Sequence, residues 1–395
     1  MLHVSEALQQ VLEKSYPVSA GELELAQASG RVLAGTVEAP TDFPLYAQSA
    51  MDGYAMRFAD RNRETFHIAA EIKAGDSWPD SSLKEGEVYR VFTGALVPPD
   101  ADTVVMQESI QREGDTIRLL QIPTEQGAHI RPPGSQHQKG EVLLEKGIIL
   151  DAPQCGLLAS AGVASVSVYR KPSVGILCTG NELVQVGHTL KAGQVYDSNS
   201  HALLAALKLF PVETVHCEYA GDALPEIEKK LQQLLATSDM VLITGGVSVG
   251  DYDFVSKALD NQGVQCGFHN VKQRPGKPLY FGTRERKLIF GLPGNPASVL
   301  TCFYYYVWPA LRTCCGFQMV RHQSFHFPLQ ASFHKRNALT QFLRALYEKN
   351  SIRILDHQES YKMDSFARSH GLAILPEETG QISAGDLVEF FFFNL

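Results

Sequence analysis

The sequence predicts a multidomain α/β plus β protein, in which a doubly wound α/β domain is flanked by an elongated subdomain and small β-rich subdomains. Three observations predict this fold class. The chain has 395 residues, which is too many for one ordinary core. Apolar strands alternate with helices over residues 171–320, a pattern typical of a parallel sheet covered on both faces. Short strands with glycine and proline turns lie on both sides of that region.

These patterns divide the chain into four predicted subdomains. The first helix, in MLHVSEALQQVLEKSY, has Leu8, Val11 and Leu12 on one face, and extended segments follow it. The predicted ranges are 1–44 with 141–170 for elongated subdomain I, 45–140 for the small β-rich subdomain II, 171–320 for the α/β subdomain III and 321–395 for the C-terminal β subdomain IV.

The α/β region supplies its elements in a regular order. Strands are predicted in SVGILCTG, VETVHCEYA and MVLIT, and helices in SNSHALLAALKLF, LPEIEKKLQQLLATS and DFVSKALDNQG. The C-terminal segments LTQFLRALY and GDLVEFFFF are rich in residues that favour strands.

Composition excludes several classes of protein. The net charge of −8, from 35 basic and 43 acidic residues, argues against nucleic-acid binding. The seven cysteines form no C-x-x-C pair and are odd in number, which favours a reducing cytoplasm over a disulfide framework. The first residues lack the apolar core of a signal peptide, and the most apolar run, CFYYYVWPAL, is too short to cross a membrane. We expect a soluble, cytoplasmic protein.

Three glycine-bearing loops follow strands of the α/β region. They are TGNEL at 179–183, TGGVSVGDYD at 244–253 and GLPGNPAS at 291–298. Because the carboxyl ends of parallel strands meet at one edge, we expect the loops to share a crevice. Each loop also has a structural interpretation: glycines in a tight turn, Ser248 as a helix cap, Asp253 at a helix start, prolines between strand and helix. Their joint occurrence favours a ligand site.

The residue types in these loops indicate the ligand. TGGVSVGDYD lacks the lysine of a typical phosphate loop, yet exposed glycine amides at a helix N-terminus attract phosphate. Carboxylates beside a phosphate would repel it unless a hard divalent cation lies between them. Glu182, Asp222 and Asp253 therefore predict phosphate and Mg²⁺ in one crevice. The RPGKP segment adds Arg274 and Lys277, which can hold an oxyanion but can also be an ordinary solvated turn.

The ordered motifs resemble those of one family. SAMDGYA, TGALVPPDADTVVMQE, GILCTGNEL, VYDSNS, TGGVSVGDYD, PGKP and GLPGNPAS occur in this order in the molybdopterin molybdenumtransferases, the bacterial relatives of the gephyrin E domain. The resemblance covers the whole chain. It implies an elongated homodimer of four-subdomain chains, with the active site between the α/β subdomain of one chain and the small β subdomain of its partner. The implied reaction inserts molybdate into adenylylated molybdopterin with Mg²⁺, releases AMP and forms molybdenum cofactor.

The resemblance also assigns roles to residues. Asp52 and Thr93, which alone read as a turn residue and a strand end, match the shared catalytic site. Glu182, Asp222 and Asp253 match the acidic catalytic positions near the metal, and Gly245, Gly246 and Ser248 match the phosphate-side loop. Further residues match substrate-binding or molybdate-holding positions: Arg274, Lys277, Pro293, Gly294, Asn295, Pro296, Ser298, Arg344 and Ser365. The resemblance leaves open contacts with other proteins of molybdenum cofactor biosynthesis, and we expect no nucleic-acid or membrane partner.

The sequence departs from the family pattern in three places, and two alternative functions remain open. Asn181 stands where Asp is usual, Ser135 and Gln136 stand where an acid is usual, and Arg274 stands where Lys is common. Two missing carboxylates weaken the charge available to hold a cation. One alternative is therefore a catalytically weakened homologue that acts as a binding or scaffold protein. The other is adenylylation of molybdopterin itself, against which the SAMDGYA domain argues.

Overall fold

The computed structural model describes residues 1–213, 215–246 and 254–393. The chain begins with helix α1, whose buried residues Val4, Ala7, Leu8 and Val11 recur at helical spacing. Two short strands and a 3₁₀ turn follow. The bounds in this segment are α1 Val4–Glu13, β1 Ala20–Glu24, the 3₁₀ turn Leu25–Gln27 and β2 Val37–Glu38.

Residues 45–140 form a six-stranded mixed sheet in the order β7-β4-β6-β5-β9-β8. The strands of this region are β3 Gln48–Ser49, β4 Gly53–Met56, β5 Thr65–Ile72, β6 Glu87–Val91, β7 Thr103–Met106, β8 Ile110–Glu113, β9 Thr116–Leu119 and β10 Ile130–Arg131, with 3₁₀ turns Phe58–Asp60 and Gln107–Ser109. The short strands β3 and β10 pair with each other in a separate two-stranded sheet. Alternate residues of β4 face opposite sides: Ala55 packs in one apolar cluster, and Tyr54 and Met56 in another. Both faces of this sheet are therefore covered.

The chain then returns along the elongated segment. Its elements are β11 Val142–Leu144, α2 Ala152–Ser160 and β12 Ser165–Tyr169. β12 pairs antiparallel with β1, and β11 pairs with β2, so the outgoing and returning strands lie side by side. Residues on each side of the small β-rich region thus build one common structure around Leu33, Leu150 and Val168.

Residues 171–320 contain the α/β domain, with a sheet in the order β16-β13-β17-β21-β20-β18. Its strands are β13 Val174–Thr179, β14 Leu183–Val184, β15 Val195–Tyr196, β16 Val215–Ala220, β17 Met240–Thr244, β18 Gln265–His269, β19 Gln273–Arg274, β20 Tyr280–Arg284 and β21 Lys287–Leu292. Its helices are α3 Asn199–Leu207, α4 Leu224–Thr237, α5 Phe254–Asn261, α6 Pro296–Cys302, the π-helix Phe303–Val307 and α7 Trp308–Cys315.

Five strands of this sheet run in one direction, and β20 alone runs in the opposite direction. β16, β13, β17 and β21 run parallel, whereas β20 is antiparallel to both β21 and β18. Only Glu285 and Arg286 separate β20 from β21, and so short a connection permits a hairpin but no parallel crossover. The expectation of a wholly parallel sheet is therefore wrong at this edge.

Residues 321–393 form a second β domain with strand order β19-β24-β26-β28-β22, in which β25 also pairs with β24. The elements are β22 Ser324–Pro328, β23 Phe333–His334, β24 Thr340–Glu348, β25 Ser351–Ile354, α8 Asp364–Arg368, β26 Gly371–Leu375, β27 Gln381–Ile382 and β28 Leu387–Phe392. Neighbouring residues on β24 face opposite ways: Leu343 packs in the domain's own core, and Phe342 packs in the core of the α/β domain.

Helix α1 packs away from the elongated strands that follow it. Its buried face joins the same apolar cluster as Leu203, Phe303 and Leu311 of the α/β domain. The assignment of 1–44 to subdomain I thus separates a helix from the domain on which it packs. The other predicted boundaries stay predictions. No helix in the described ranges combines the length and the apolar character that a membrane crossing requires.

Candidate active site

The four parallel strands end together at one edge of the α/β sheet. Thr179 at the end of β13 pairs with Ala220 of β16, and Thr244 of β17 pairs with Leu292 of β21. After β13 the chain adds β16 on one side and then crosses to add β17 on the other. Such a change of direction opens a crevice at the carboxyl ends of the strands. The predicted meeting of the three glycine loops therefore occurs at the ends of β13, β17 and β21.

Gly245 and Gly246 turn the chain sharply after β17. Their φ angles are +85° and +65°, which favour glycine. A Cβ atom on Gly245 would lie 2.5 Å from the carbonyl oxygen of Thr179, so even alanine does not fit without movement. The Gly245 N–H donates to the Leu292 carbonyl at 3.3 Å. Gly246 is the last described residue of this loop, and Ser248 and Asp253 lie outside the described residues.

The acidic side of the crevice is built from the loops after β13 and β16. The Asn181 N–H donates to Asp222 Oδ2 at 3.2 Å, and the Asp222 N–H donates to Asn181 Oδ1 at 3.2 Å. Glu182 and Asp222 are both exposed. Glu182 folds back over its own loop, because a Cβ on Gly180 would lie 2.6 Å from Glu182 Oε2. The structure thus brings two predicted carboxylates to neighbouring loops.

The carboxylates of Glu182 and Asp222 are suitable ligands for Mg²⁺, but two side chains alone do not make a complete metal site. Carboxylate oxygens are the ligands that Mg²⁺ prefers, and it usually takes only one or two of them beside phosphate and water. The described ranges contain no group of three or more His, Cys, Asp or Glu side chains that could hold a metal. The third predicted ligand, Asp253, is outside those ranges, so the magnesium assignment stays a prediction.

The loop after β21 connects the crevice to the C-terminal β domain. Asn199, the first residue of α3, donates from Nδ2 to the Gly294 carbonyl at 2.8 Å. Asn295 Nδ2 donates to Ser360 Oγ at 3.0 Å, and the Ala297 N–H donates to the Ser360 carbonyl at 3.0 Å. Pro293 is buried, Pro296 is the first residue of α6, and Ser298 is buried one turn into that helix. The predicted loop therefore lies between the two domains.

Arg274 reaches a cavity beside this junction. β19, which carries Arg274, pairs parallel with β24 and so extends the sheet of the C-terminal domain. The cavity measures about 430 Å³, and its lining includes Arg274, His334, Arg336, His357 and Glu359. Lys277 is exposed and is not among the residues that line this cavity. The lining of the cavity contains two arginines, Arg274 and Arg336, and two acidic residues, Asp356 and Glu359.

Arg344 and Ser365 lie together behind one wall of that cavity. Arg344 is fully buried, donates from Nε to Ser365 Oγ at 3.2 Å, and donates from Nη2 to the carbonyls of His357 and Glu359 at 2.9 and 3.1 Å. Ser365 Oγ donates to the His357 carbonyl at 2.8 Å. Burial lowers the pKa of the Arg344 guanidinium to about 10, which leaves it cationic at neutral pH. Its buried Nη1 has no hydrogen-bond partner among the described residues.

Asp52 and Thr93 form a separate pair in the small β-rich domain. Asp52 Oδ1 accepts hydrogen bonds from the Thr93 backbone N–H and from Thr93 Oγ1, each at 2.8 Å. The backbone N–H lowers the pKa of the Asp52 carboxyl most, the hydroxyl lowers it further, and the charge of Arg90 acts in the same direction. In the described ranges, the hydrogen bonds of this pair stay within residues 45–140.

Several residues at the site carried no signal in the sequence. Arg90 contacts the Asp52 segment, Ser360 connects two domains, and Arg336 lines the cavity. Arg90 sits in an ordinary strand pattern, and Ser360 and Arg336 lie in a region with few distinctive motifs. Asn199 could have been found, because the VYDSNS motif that contains it was recognised without a role for its residues.

Comparison with known proteins identifies the family. Three family models match consecutive parts of the chain: the MoeA N-terminal region (domain I and II) at residues 2–162, a probable molybdopterin binding domain at 175–313 and the MoeA C-terminal region (domain IV) at 326–393. A protein of Haemophilus influenzae named molybdopterin molybdenumtransferase is 34% identical over 408 residues, covering 100% of this chain and 99% of the relative. The chain belongs to the molybdopterin molybdenumtransferase family.

Other relatives agree with this family. A molybdopterin molybdenumtransferase of a Nostoc species is 35% identical over 387 residues, covering 92% of this chain and 86% of that protein. The crystal structure of a molybdopterin biosynthesis MoeA protein from Pyrococcus horikoshii superposes with a TM-score of 0.86 at 28% identity, covering 100% of this chain and 99% of that one. The predicted family and the predicted fold class, an α/β domain with flanking β-rich domains, are both confirmed.

Proposed function

We propose that this chain is an active enzyme of molybdenum cofactor biosynthesis that inserts molybdate into adenylylated molybdopterin and releases AMP. The observation that carries the proposal is the crevice at the carboxyl ends of β13, β16 and β17. There a glycine turn with exposed backbone lies beside the carboxylates of Glu182 and Asp222. A substrate that combines a pyrophosphate with a divalent cation matches this mixture of groups.

The phosphate side of the substrate is assigned to the loop after β17. Gly245 and Gly246 have positive φ angles, which favour glycine, and without side chains they let an anion approach the backbone closely. Helix α5 begins at Phe254. Backbone N–H groups ahead of a helix favour phosphate because they carry partial positive charge. Ser248 would add a hydroxyl donor to the same phosphate.

The metal side is assigned to Glu182 and Asp222, with Asp253 as the third carboxylate. Bound there, Mg²⁺ would supply neutralisation and polarisation of the pyrophosphate. The reciprocal hydrogen bonds between Asn181 and Asp222 hold the Asp222 carboxylate at the crevice edge. Asp222 Oδ2 accepts only this backbone donor from the described residues, which leaves it lone pairs for a cation.

The molybdate ion is assigned to the cationic junction between the α/β and C-terminal domains. Arg344 is a buried cation that, among the described residues, donates hydrogen bonds to a hydroxyl and to backbone carbonyls and to no carboxylate. A buried charge without a counter-ion is costly, so an oxyanion nearby would be stabilised. Arg274 and Ser365 would contact the same molybdate ion. Lys277 and Ser298 are also assigned to holding molybdate or the anionic end of the substrate. The residues Pro293, Gly294, Asn295 and Pro296 would shape the passage between this ion and the crevice.

Asp52 and Thr93 are assigned to the same reaction through a homodimer. Their hydrogen bonds remain inside the small β-rich domain, so a second copy of the chain would have to bring them to the crevice. The sulfur atoms that take up molybdenum belong to the pterin, and the protein therefore needs no nucleophilic cysteine. All seven cysteines are free, which supports a reducing compartment such as the cytoplasm.

The test is AMP release by purified protein from adenylylated molybdopterin, with molybdate and Mg²⁺ each added or withheld. We expect release only when both are present, and a strong loss in D222N. D260N removes an exposed carboxylate on α5 and should release AMP as the unaltered protein does. The proposal fails if no AMP appears under conditions in which the H. influenzae relative is active.

The same assay separates the two alternatives. A scaffold protein would bind the pterin or AMP without turnover, and D253A would leave its function unchanged. The names of the relatives do not favour this alternative. A protein that adenylylates molybdopterin would consume ATP when given unmodified molybdopterin, which the proposed transferase does not.

A further inference from the structure

Arg90 is a buried cation at the centre of the small β-rich domain. It lies on β6 with 9% of its surface exposed, and its guanidinium carbon is 4.9 Å from the ring centres of both Tyr54 and Phe92. Aromatic faces attract a guanidinium and hold its plane. Two neutral acceptors complete its contacts: Nη1 donates to the Gly53 carbonyl at 3.0 Å, and Nη2 donates to Gln107 Oε1 at 2.7 Å.

Both acceptors adjoin Asp52. Gly53 follows Asp52 directly, and the Gln107 backbone N–H donates to the Asp52 carbonyl at 3.0 Å. Gly53 is also pressed against β7, because a Cβ there would lie 2.1 Å from the Val105 carbonyl oxygen. One guanidinium therefore joins the residue after Asp52 to the residue that holds the Asp52 carbonyl, and the main chain at Asp52 is fixed on both sides.

The carboxylate of Asp52 is oriented by Thr93, which lies two residues beyond the strand that carries Arg90. Thr93 follows β6 and gives both of its donors to Oδ1, each at 2.8 Å. Oδ2 accepts no hydrogen bond from a described residue, which leaves it available to a ligand. Because Arg90 lies on β6 and Thr93 follows two residues after the end of that strand, a shift of Arg90 would move the Thr93 donors and the main chain of Asp52 relative to each other.

We propose that Arg90 is a positioning residue of the transferase reaction, which holds Asp52 in its reactive orientation through Gly53 and Gln107. The inference rests on the proposed function, in which Asp52 contacts the substrate. A reacting group misplaced by about 1 Å can lose about a hundredfold in rate. The role differs from general support of the sheet, because it predicts a change in turnover rather than in substrate binding.

The test compares R90K, R90M and Q107L with R118M, which removes an exposed arginine from β9 of the same sheet. We expect kcat for AMP release to fall by about tenfold to a hundredfold in R90M, with KM for both substrates changed by less than about threefold. R90K should recover part of the loss, since lysine keeps the charge but not the paired donors. R118M should match the unaltered enzyme.

A second readout follows the ionisation of Asp52. Its carboxyl pKa is lowered by Thr93 and, to a smaller extent, by the positive charge of Arg90. The acid side of the kcat profile should therefore move to higher pH in R90M and remain in place in R90K, which keeps the charge. A residue that only supports the sheet would lower stability and leave the profile unchanged.

D52N separates failure of this inference from failure of the proposed function. If D52N turns over at the normal rate, the assignment of Asp52 is wrong and the role of Arg90 fails with it. If D52N is impaired while R90K, R90M and Q107L all keep normal kcat, the positioning role alone is overturned. Should R90M fail to fold, Q107L and R90K decide: normal kcat in both contradicts the proposal, and a reduced kcat with normal KM in Q107L supports it.

Discussion

Asn181 and Asp222 each donate a backbone N–H to the side chain of the other, at 3.2 Å in both directions. The pair fixes the loops after β13 and β16 against each other at the crevice. Asn181 uses its Oδ1 atom for this contact, and an aspartate at the same position could accept the same hydrogen bond. An aspartate at position 181 would therefore keep this hydrogen bond and add one negative charge.

N181D should strengthen Mg²⁺ binding without altering the fold. A carboxylate next to Asp222 adds a full charge near the cation, and we expect the Mg²⁺ concentration for half-maximal AMP release to fall about fivefold. Titration of activity with Mg²⁺ measures this. Q136E restores the other missing acid but lies elsewhere, because Gln136 Nε2 is 3.4 Å from Ser160 Oγ. An equal gain in both variants would contradict the crevice assignment.

T93V should raise the pKa of the Asp52 carboxyl towards its ordinary value. Valine removes the hydroxyl donor and keeps the backbone N–H, which lowers the pKa most. For a carboxyl with a lowered pKa, the folded-state stabilisation is present above the ordinary value and is lost as the pH falls through the lower folded value. The acid limb of the kcat profile should thus move upward in T93V and stay unchanged in T93S. An identical profile in T93V and the unaltered enzyme would contradict this cause.

R344M should weaken molybdate binding and destabilise the C-terminal domain. The change removes a buried cation and one of the two hydrogen-bond donors to each of the carbonyls of His357 and Glu359, at a cost of about 1–3 kcal/mol in unfolding free energy. We expect KM for molybdate to rise at least about tenfold, and molybdate to stop raising the melting temperature. R368M, at an exposed arginine on α8, should change neither quantity. Retention of molybdate-dependent stabilisation in R344M would place the ion elsewhere.

G245A should destabilise the turn after β17. The new Cβ would lie 2.5 Å from the Thr179 carbonyl at a φ of +85°, and we expect about 1–3 kcal/mol of lost unfolding free energy. G156A is the matched control. Gly156 lies inside α2 with no atom within 4 Å of a new Cβ, so alanine should raise stability by about 0.5–1 kcal/mol. The unfolding free energies of both variants can be measured by denaturant titration. Equal values would show that the turn after β17 adjusts to the added Cβ without loss of stability.

The sequence indicated the parts of the fold that depend on local patterns. The strands Val174–Thr179 and Met240–Thr244 are continuous apolar runs, and glycines mark the turns that follow them. The antiparallel edge was not predicted because strand composition does not indicate direction, and it is the short connection at Glu285 and Arg286 that requires β20 and β21 to be antiparallel. Helix periodicity in α1 predicted a buried face but could not indicate which core that face joins.

The sequence predicted the site residues whose type is required by the chemistry. It did not predict the residues that are placed at the site by contacts between distant parts of the chain. Glu182, Asp222 and the glycines stand in recognisable loops, so the order of the motifs was sufficient to find them. Arg90 acts through Gly53 and Gln107, which are distant from it in sequence. No spacing rule relates such partners, because the pairing of β4, β6 and β7 alone brings them together.

Helix α1 has a further consequence for how the chain folds. Its buried face and the strand Val174–Thr179 belong to one core, yet the entire elongated and small β-rich region lies between them in sequence. Forming that core therefore closes a very large loop. Loop-closure entropy grows only with the logarithm of length, by about 0.6 kcal/mol for each doubling. The elongated and small β-rich region can thus lie between two parts of one core at only a modest extra entropic cost compared with a short connection.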